Sequence, residues 1–150
     1  MSTIQPINMK RYCNDKIVLA YWDTTYRLVD QEIDVFIAQK NDAFMDFFIS
    51  QNFQSWAIIT AFNPRSEVFS RESNVLFNRQ LKIDLEQQTL FYCNVLGIPI
   101  EGSDWEAEES FFVADITLID ACNLAKKYNQ NAIVYGNTSC LPSLIWLEAF

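Results

Sequence analysis

The sequence predicts a single α/β or α+β domain, with a mixed sheet of about five to seven strands and helices packed on it. Three observations carry that prediction. Strand-like and helix-like segments alternate along 150 residues without a composition break, linker or internal repeat. Residues 56–62, WAIITAF, are apolar on both alternating faces except at Thr60, the pattern of a central strand covered on both sides. Residues 70–87 carry Phe77, Leu81 and Leu85 on one stripe, the pattern of a helix laid on that sheet.

The elements follow in order. Residues 1–10 are polar and read as a loose segment. Residues 11–23 read as a helix with Ile17, Ala20 and Tyr21 on one face. Tyr26–Val29 and Ile33–Ile37 read as two strands of a hairpin, although the Asp30-Gln31-Glu32 turn lacks the expected glycine. Phe44, Phe47 and Phe48 place an amphipathic helix over residues 42–51. The central strand stops at Asn63-Pro64, because proline offers no ladder donor and holds its predecessor extended. Ser70 stands where a helix N-cap belongs. Leu90–Val95 and Ser110–Val113 read as strands separated by a loop with Pro99 and Gly102. Thr117, with Asp120 three positions on, opens a helix to Tyr128 whose buried face is Leu118, Ala121, Cys122 and Ala125. Ala132–Tyr135 and Ser143–Leu147 are the last strands, and the apolar run LIWLEAF at 144–150 reads as a sheet edge or dimer contact.

Composition narrows the function. Eleven basic against 19 acidic residues give a net charge of −8, which excludes general nucleic-acid binding and docking to anionic membranes. The chain has no histidine, so His-based triads and His-ligated metals are excluded. Three glycines form no phosphate loop. Cys13, Cys93, Cys122 and Cys140 include no close pair, and reduced thiols in a cytoplasmic protein are expected. The N-terminal segment reads as no secretory signal, so the Asn137-Thr138-Ser139 acceptor pattern carries no weight. Nothing calls for a cofactor or a metal.

Three polar features remain. Thr60, Asn63 and Ser66 end the central strand, and Asn74 and Asn78, four apart, share a face of the following helix. The end of a strand beside a helix N-terminus is where open sheets bind ligands. These groups therefore read either as a pocket for a small polar ligand or as amides that tie the loop to the helix. The acidic stretch EGSDWEAEE, residues 101–109, reads as a solvated loop or as a partner surface centred on Trp105. An extended backbone there puts Glu106, Glu108 and Ser110 on one face and Glu109 on the other. Tyr128-Asn129-Gln130-Asn131 suits a helix C-terminus, where asparagine tolerates the left-handed conformation, unless Gln130 or Asn131 reaches the pocket. Arg65 is the one base in its loop and suits an acidic ligand group or Glu67.

In combination these motifs resemble one family. Tyr21-x-x-Thr24-x-Tyr26, ITAFNPRS, Asn74-x-x-x-Asn78-x-x-Leu81, Trp105-x-x-Glu108-x-Ser110 and YNQNAIV follow in order across residues 21–135. They are similar to the domain-of-unknown-function family three-two-nine-three, small and mainly bacterial proteins. The resemblance implies an intracellular protein and supplies no catalytic residue. It links Thr60, Asn63, Pro64, Ser66, Asn74, Asn78, Trp105, Glu108, Ser110, Gln130 and Asn131 as motif positions.

Three functions compete. One is a ligand-binding or regulatory module whose pocket lies near Asn63, Asn74 and Asn78, closed by Trp105 and Gln130. The second is a histidine-free enzyme with Glu108 as general base or metal ligand. The third is a protein-interaction adaptor using the Trp105 loop. The expected partner is a small polar ligand or a protein, with no nucleic acid and no membrane.

Overall fold

The structure is a computed structural model, and it describes residues 2–6, 15–138 and 141–149. Twelve elements follow in chain order. They are β1 (Ser2–Pro6), α1 (Asp15–Trp22), β2 (Thr25–Leu28), β3 (Ile33–Val35), α2 (Asp42–Ser50), β4 (Ser55–Ile59), α3 (Arg71–Gln87), β5 (Tyr92–Ile98), β6 (Glu108–Ala114), α4 (Leu118–Lys127), β7 (Ala132–Asn137) and β8 (Ser143–Ala149). A 3-10 turn, Pro64–Ser66, lies between β4 and α3. The chain is a single-domain α+β fold.

All eight strands form one sheet in the order β1-β8-β7-β4-β6-β5-β2-β3. Every neighbouring pair is antiparallel. The expected mixed sheet of five to seven strands is thus corrected in detail, and the reason is topological. The β4–α3–β5 crossover lands on a parallel strand, but β6 sits between the two; β6–α4–β7 likewise skips over β4. Alternating strands and helices therefore form two split units, and β4 to β7 have the βαββαβ order of a ferredoxin-like core. The β2–β3 hairpin extends it on one side, and β8 with β1 on the other.

Residue alternation on β4 divides the core into two layers. Trp56 and Ile58 face α2, where Phe44, Phe48, Phe53 and Phe112 pack around them. Ala57 and Ile59 face α3 and α4, against Leu81, Leu85, Ala121 and Cys122. Cys93 and Cys122 are free thiols. Cys13 and Cys140 lie outside the described residues, as does residues 11–14 of the expected first helix.

Caps agree with the sequence. The Ser70 hydroxyl accepts from Ser73 N–H and the Thr117 hydroxyl from Asp120 N–H, both at 3.1 Å. Asn41 caps α2 in the same way. The β2–β3 turn does without glycine because Glu32 itself takes φ 55°. One expectation is overturned at the N-terminus. Ser2–Pro6, read as part of a loose segment, pairs with β8 from Ser2↔Ala149 to Pro6↔Ile145. A polar five-residue strand has too little periodicity to stand out, and it is the open edge of β8 that supplies its hydrogen-bonding partners. The described part of LIWLEAF, residues 144–149, is consequently not an uncovered edge. Among the described residues no helix is long and apolar enough to cross a membrane.

Candidate functional site

The central strand leaves the ladder earlier than WAIITAF implies. Register with β6 ends at Ile59↔Phe111, and Thr60, Ala61 and Phe62 lie beyond it. Three N–H groups would be stranded there, two of them in buried residues, and side chains take them up. Asn78 Oδ1 accepts from Ala61 N–H at 2.8 Å, the Thr60 hydroxyl from Phe62 N–H at 3.1 Å, and Asn74 Oδ1 from Asn63 N–H at 2.8 Å. The other ends of these groups are also spent. Thr60 Oγ1 and Asn78 Nδ2 both donate to the Glu109 carbonyl. Asn74 Nδ2 donates to Asn63 Oδ1, which accepts from Phe69 N–H as well. Gln130 Nε2 donates to the carbonyls of Phe62 and Tyr128.

These amides shape a loop with unusual backbone. Asn63, Arg65 and Ser66 all have positive φ, at 46°, 58° and 58°. Such conformations cost non-glycine residues about 1–3 kcal/mol each and are held only by surrounding structure. Here that structure is the amide network and the bond from Arg65 N–H to the Asn129 carbonyl at 2.7 Å. Asn129, just past α4, is itself left-handed at φ 55°, as its place at a helix C-terminus suggests. The Arg65 side chain is exposed.

The loop forms one wall of a cavity of about 70 Å³ on the α1 side of the sheet. That volume admits several waters or a small organic molecule. From α1 come Ile17, Ala20 and Tyr21, the face expected to be shared; Thr24 and Tyr26 follow from the start of β2. Thr60, Phe62, Asn63 and Ser66 come from the β4 end, and Glu108 and Ser110 from β6. Gly97, Pro99, Trp105 and Glu106 close it from the β5–β6 connection. The floor is apolar, with Ile58, Val134 and Leu144.

The sequence-derived residues thus divide. Thr60, Asn63, Ser66, Trp105, Ser110 and Glu108 come together at the cavity. Asn74, Asn78 and Gln130 are buried behind it and hold backbone. Asn131 stands one bond back, with Nδ2 donating to Ser66 Oγ at 2.9 Å. Tyr21, Tyr26 and Glu106 line the cavity and were not among the expected binding residues. Their signal was present, since the two tyrosines form the first quoted motif and Glu106 was expected on one face with Glu108, although β6 begins only at Glu108. Glu109 points the other way, toward Arg71 at 3.3 Å.

Glu108 is the electrostatic centre. Its Oε2 accepts from Asn63 Nδ2 at 2.7 Å. Burial pushes its carboxyl up to about 6, although the Asn63 bond pulls the other way. No ion pair among the described residues reaches it. Tyr21 OH is 2.9 Å from Ser66 Oγ, and burial pushes it up to about 12, with the Ser66 bond opposing and the Glu108 charge adding. Tyr26, whose hydroxyl donates to the Tyr21 carbonyl, is raised further by burial and then by Tyr21 and Glu108. Both phenols are neutral donors at physiological pH. No group of three or more Cys, Asp or Glu suited to a metal ion occurs among the described residues.

Comparison with known protein families matches residues 59–133, half of the chain, to the family described as Protein of unknown function (DUF3293). The chain belongs to this family. The matched segment runs from the end of β4 to the start of β7, so it holds most of the ferredoxin-like core and the polar motifs from Thr60 to Asn131. Tyr21 and Tyr26 lie before it. No curated protein and no solved structure matches the chain.

Proposed function

We propose that the cavity beside α1 is a binding site for a small polar molecule, and that the protein acts as a ligand-binding or regulatory module. One observation carries this reading: polar groups from three separated parts of the chain, Tyr21, Asn63 and the segment of Trp105 and Glu108, border a single hollow with an apolar floor. Few oriented polar groups on apolar walls are what small-molecule sites look like. Trp105 is half-buried as part of the wall, which favours this role over a projecting adaptor surface. Cytoplasmic location remains the expectation that accompanies the reading.

A second reading has its own support. A carboxyl raised to about 6 is closer to working pH than an ordinary glutamate and suits a general base. Loss of turnover in Glu108→Gln, on a compound first found to bind, would favour it. The binding reading is tested by thermal shift against a panel of small amines, alcohols, carboxylates and nucleosides. At least one compound raises the melting temperature of the wild type, and the rise shrinks in Trp105→Ala. No rise with any compound, or the same rise in Trp105→Ala, overturns it.

A further inference from the structure

The chemistry of the cavity wall narrows what it binds. Two carboxylates, Glu106 and Glu108, border the hollow, and no lysine or arginine does among the described residues. Glu108 receives one side-chain hydrogen bond, at Oε2 from Asn63. No protein donor among the described residues reaches Oε1, and that atom keeps some accessible surface, because the one fully buried side-chain polar atom without a partner among the described residues is Gln31 Oε1. Four aromatic side chains, Tyr21, Tyr26, Phe62 and Trp105, line the hollow beside uncharged polar and aliphatic groups.

Each feature selects by charge. A partly dehydrated carboxylate without a protein cation is poorly compensated, and a cation beside it supplies what is missing. Aromatic faces attract cations and do nothing comparable for anions. The apolar floor and the absence of a third acidic ligand disfavour a bare metal ion, which needs an oxygen-rich shell. A negative chain, at −8, also concentrates cations near its surface.

We propose that the cavity takes a small organic cation, a protonated amine on a short apolar body, with the ammonium against Glu108 and the body against the Tyr21, Tyr26 and Trp105 rings. This rests on the cavity being a small-molecule site. The Asn63 amide holds the Glu108 carboxylate in place by occupying Oε2, which leaves Oε1 to meet the ligand.

The test uses three probes of similar size and different charge: n-butylammonium, n-butanol and n-butyrate. Binding is followed by the indole N–H resonance of Trp105, assigned by its loss in Trp105→Phe, during titration at pH 8. Butylammonium shifts that resonance saturably, and its Kd is at least tenfold below that of butanol, a factor worth about 1.4 kcal/mol. Butyrate binds more weakly than butanol. Glu108→Gln removes the preference for the amine while butanol still binds, which shows that the variant keeps its cavity. Glu106→Gln, with the carboxylate nearer solvent, reduces the preference without removing it.

Acid has the same effect as the substitution, because protonated Glu108 loses its hold on the ammonium. Tyr21, Tyr26 and Glu106 are the other titratable groups facing it, and the two phenols stay neutral across this range. Equal binding of amine and alcohol, or an amine preference that survives Glu108→Gln, overturns the cation assignment and leaves the small-molecule site standing. No shift with any of the three probes overturns both.

Discussion

Glu108 meets two opposing demands: its backbone belongs to β6, and its carboxyl is largely withdrawn from water. The group has a stability consequence with a definite sign. Its folded value, about 6, stands above the ordinary 4.5, so the folded state holds the proton more tightly than the unfolded state. The contribution is fully present below 4.5 and is lost as pH rises through about 6. The loss amounts to about 2 kcal/mol. Glu108→Gln removes this slope, so the variant is more stable than wild type at pH 8 and the difference closes toward pH 4.5. Urea unfolding across that range measures it. Asp84 works in the opposite direction. Burial raises its carboxyl, but hydrogen bonds from Lys127 and Tyr128 outweigh that and hold it below the usual carboxylate range. The stability it contributes is present at neutral pH and is lost as the solution becomes strongly acid. Tyr128→Phe leaves Asp84, 7% exposed, with one partner fewer and costs about 1–2 kcal/mol by chemical denaturation at pH 7.

At the scale of elements, the strand end and the helix opposite it show what a sequence makes legible. The Asn74–Asn78 spacing gives one helix face, and Leu81 and Leu85 on the same stripe give its burial. What spacing leaves undecided is whether a buried amide serves a ligand or a neighbouring backbone. That depends on where the β4 ladder stops, and the apolar run through Phe62 conceals a stop at Ile59. Tyr21 was legible as a helix face but not as a cavity wall, because the wall exists only once β6 lies beside β4. Asn78→Ala strands the Ala61 N–H in a buried position and costs about 2–3 kcal/mol, read as a lower urea midpoint at constant slope. Gly136 on β7 marks another close fit. A Cβ there would lie 2.6 Å from the Trp56 indole directly across the ladder. Gly136→Ala therefore forces the indole aside and destabilises by about 1–3 kcal/mol. A red shift of tryptophan emission accompanies the loss.

For the molecule as a whole, local pattern predicted the class and most elements, and the strand neighbours did not follow from it. Helices α3 and α4 each connect two parallel strands, as alternation implies, yet a third strand arrives between them from elsewhere in the chain. No local signal records that insertion. The two outer edges are managed differently. On one side β3 is only three residues long and carries the Arg27–Asp34 pair, with Arg27 Nε donating to Asp34 Oδ1 at 2.7 Å, which discourages pairing with another sheet. On the other side β8 is covered by β1. Deleting residues 1–14 bares a seven-residue strand with Leu144, Trp146 and Leu147. Size-exclusion chromatography of the truncated chain shows dimers or larger species where the full chain gives a smaller one.

The β1–β8 pairing also sets an order of events during translation. Ser2–Pro6 is made well before Ser143–Ala149, so a ribosome-bound chain holds β1 without its partner until β8 has cleared the exit tunnel. The ferredoxin-like centre, complete at β7, has its strands available sooner, and the outer edge closes only after β8 has followed.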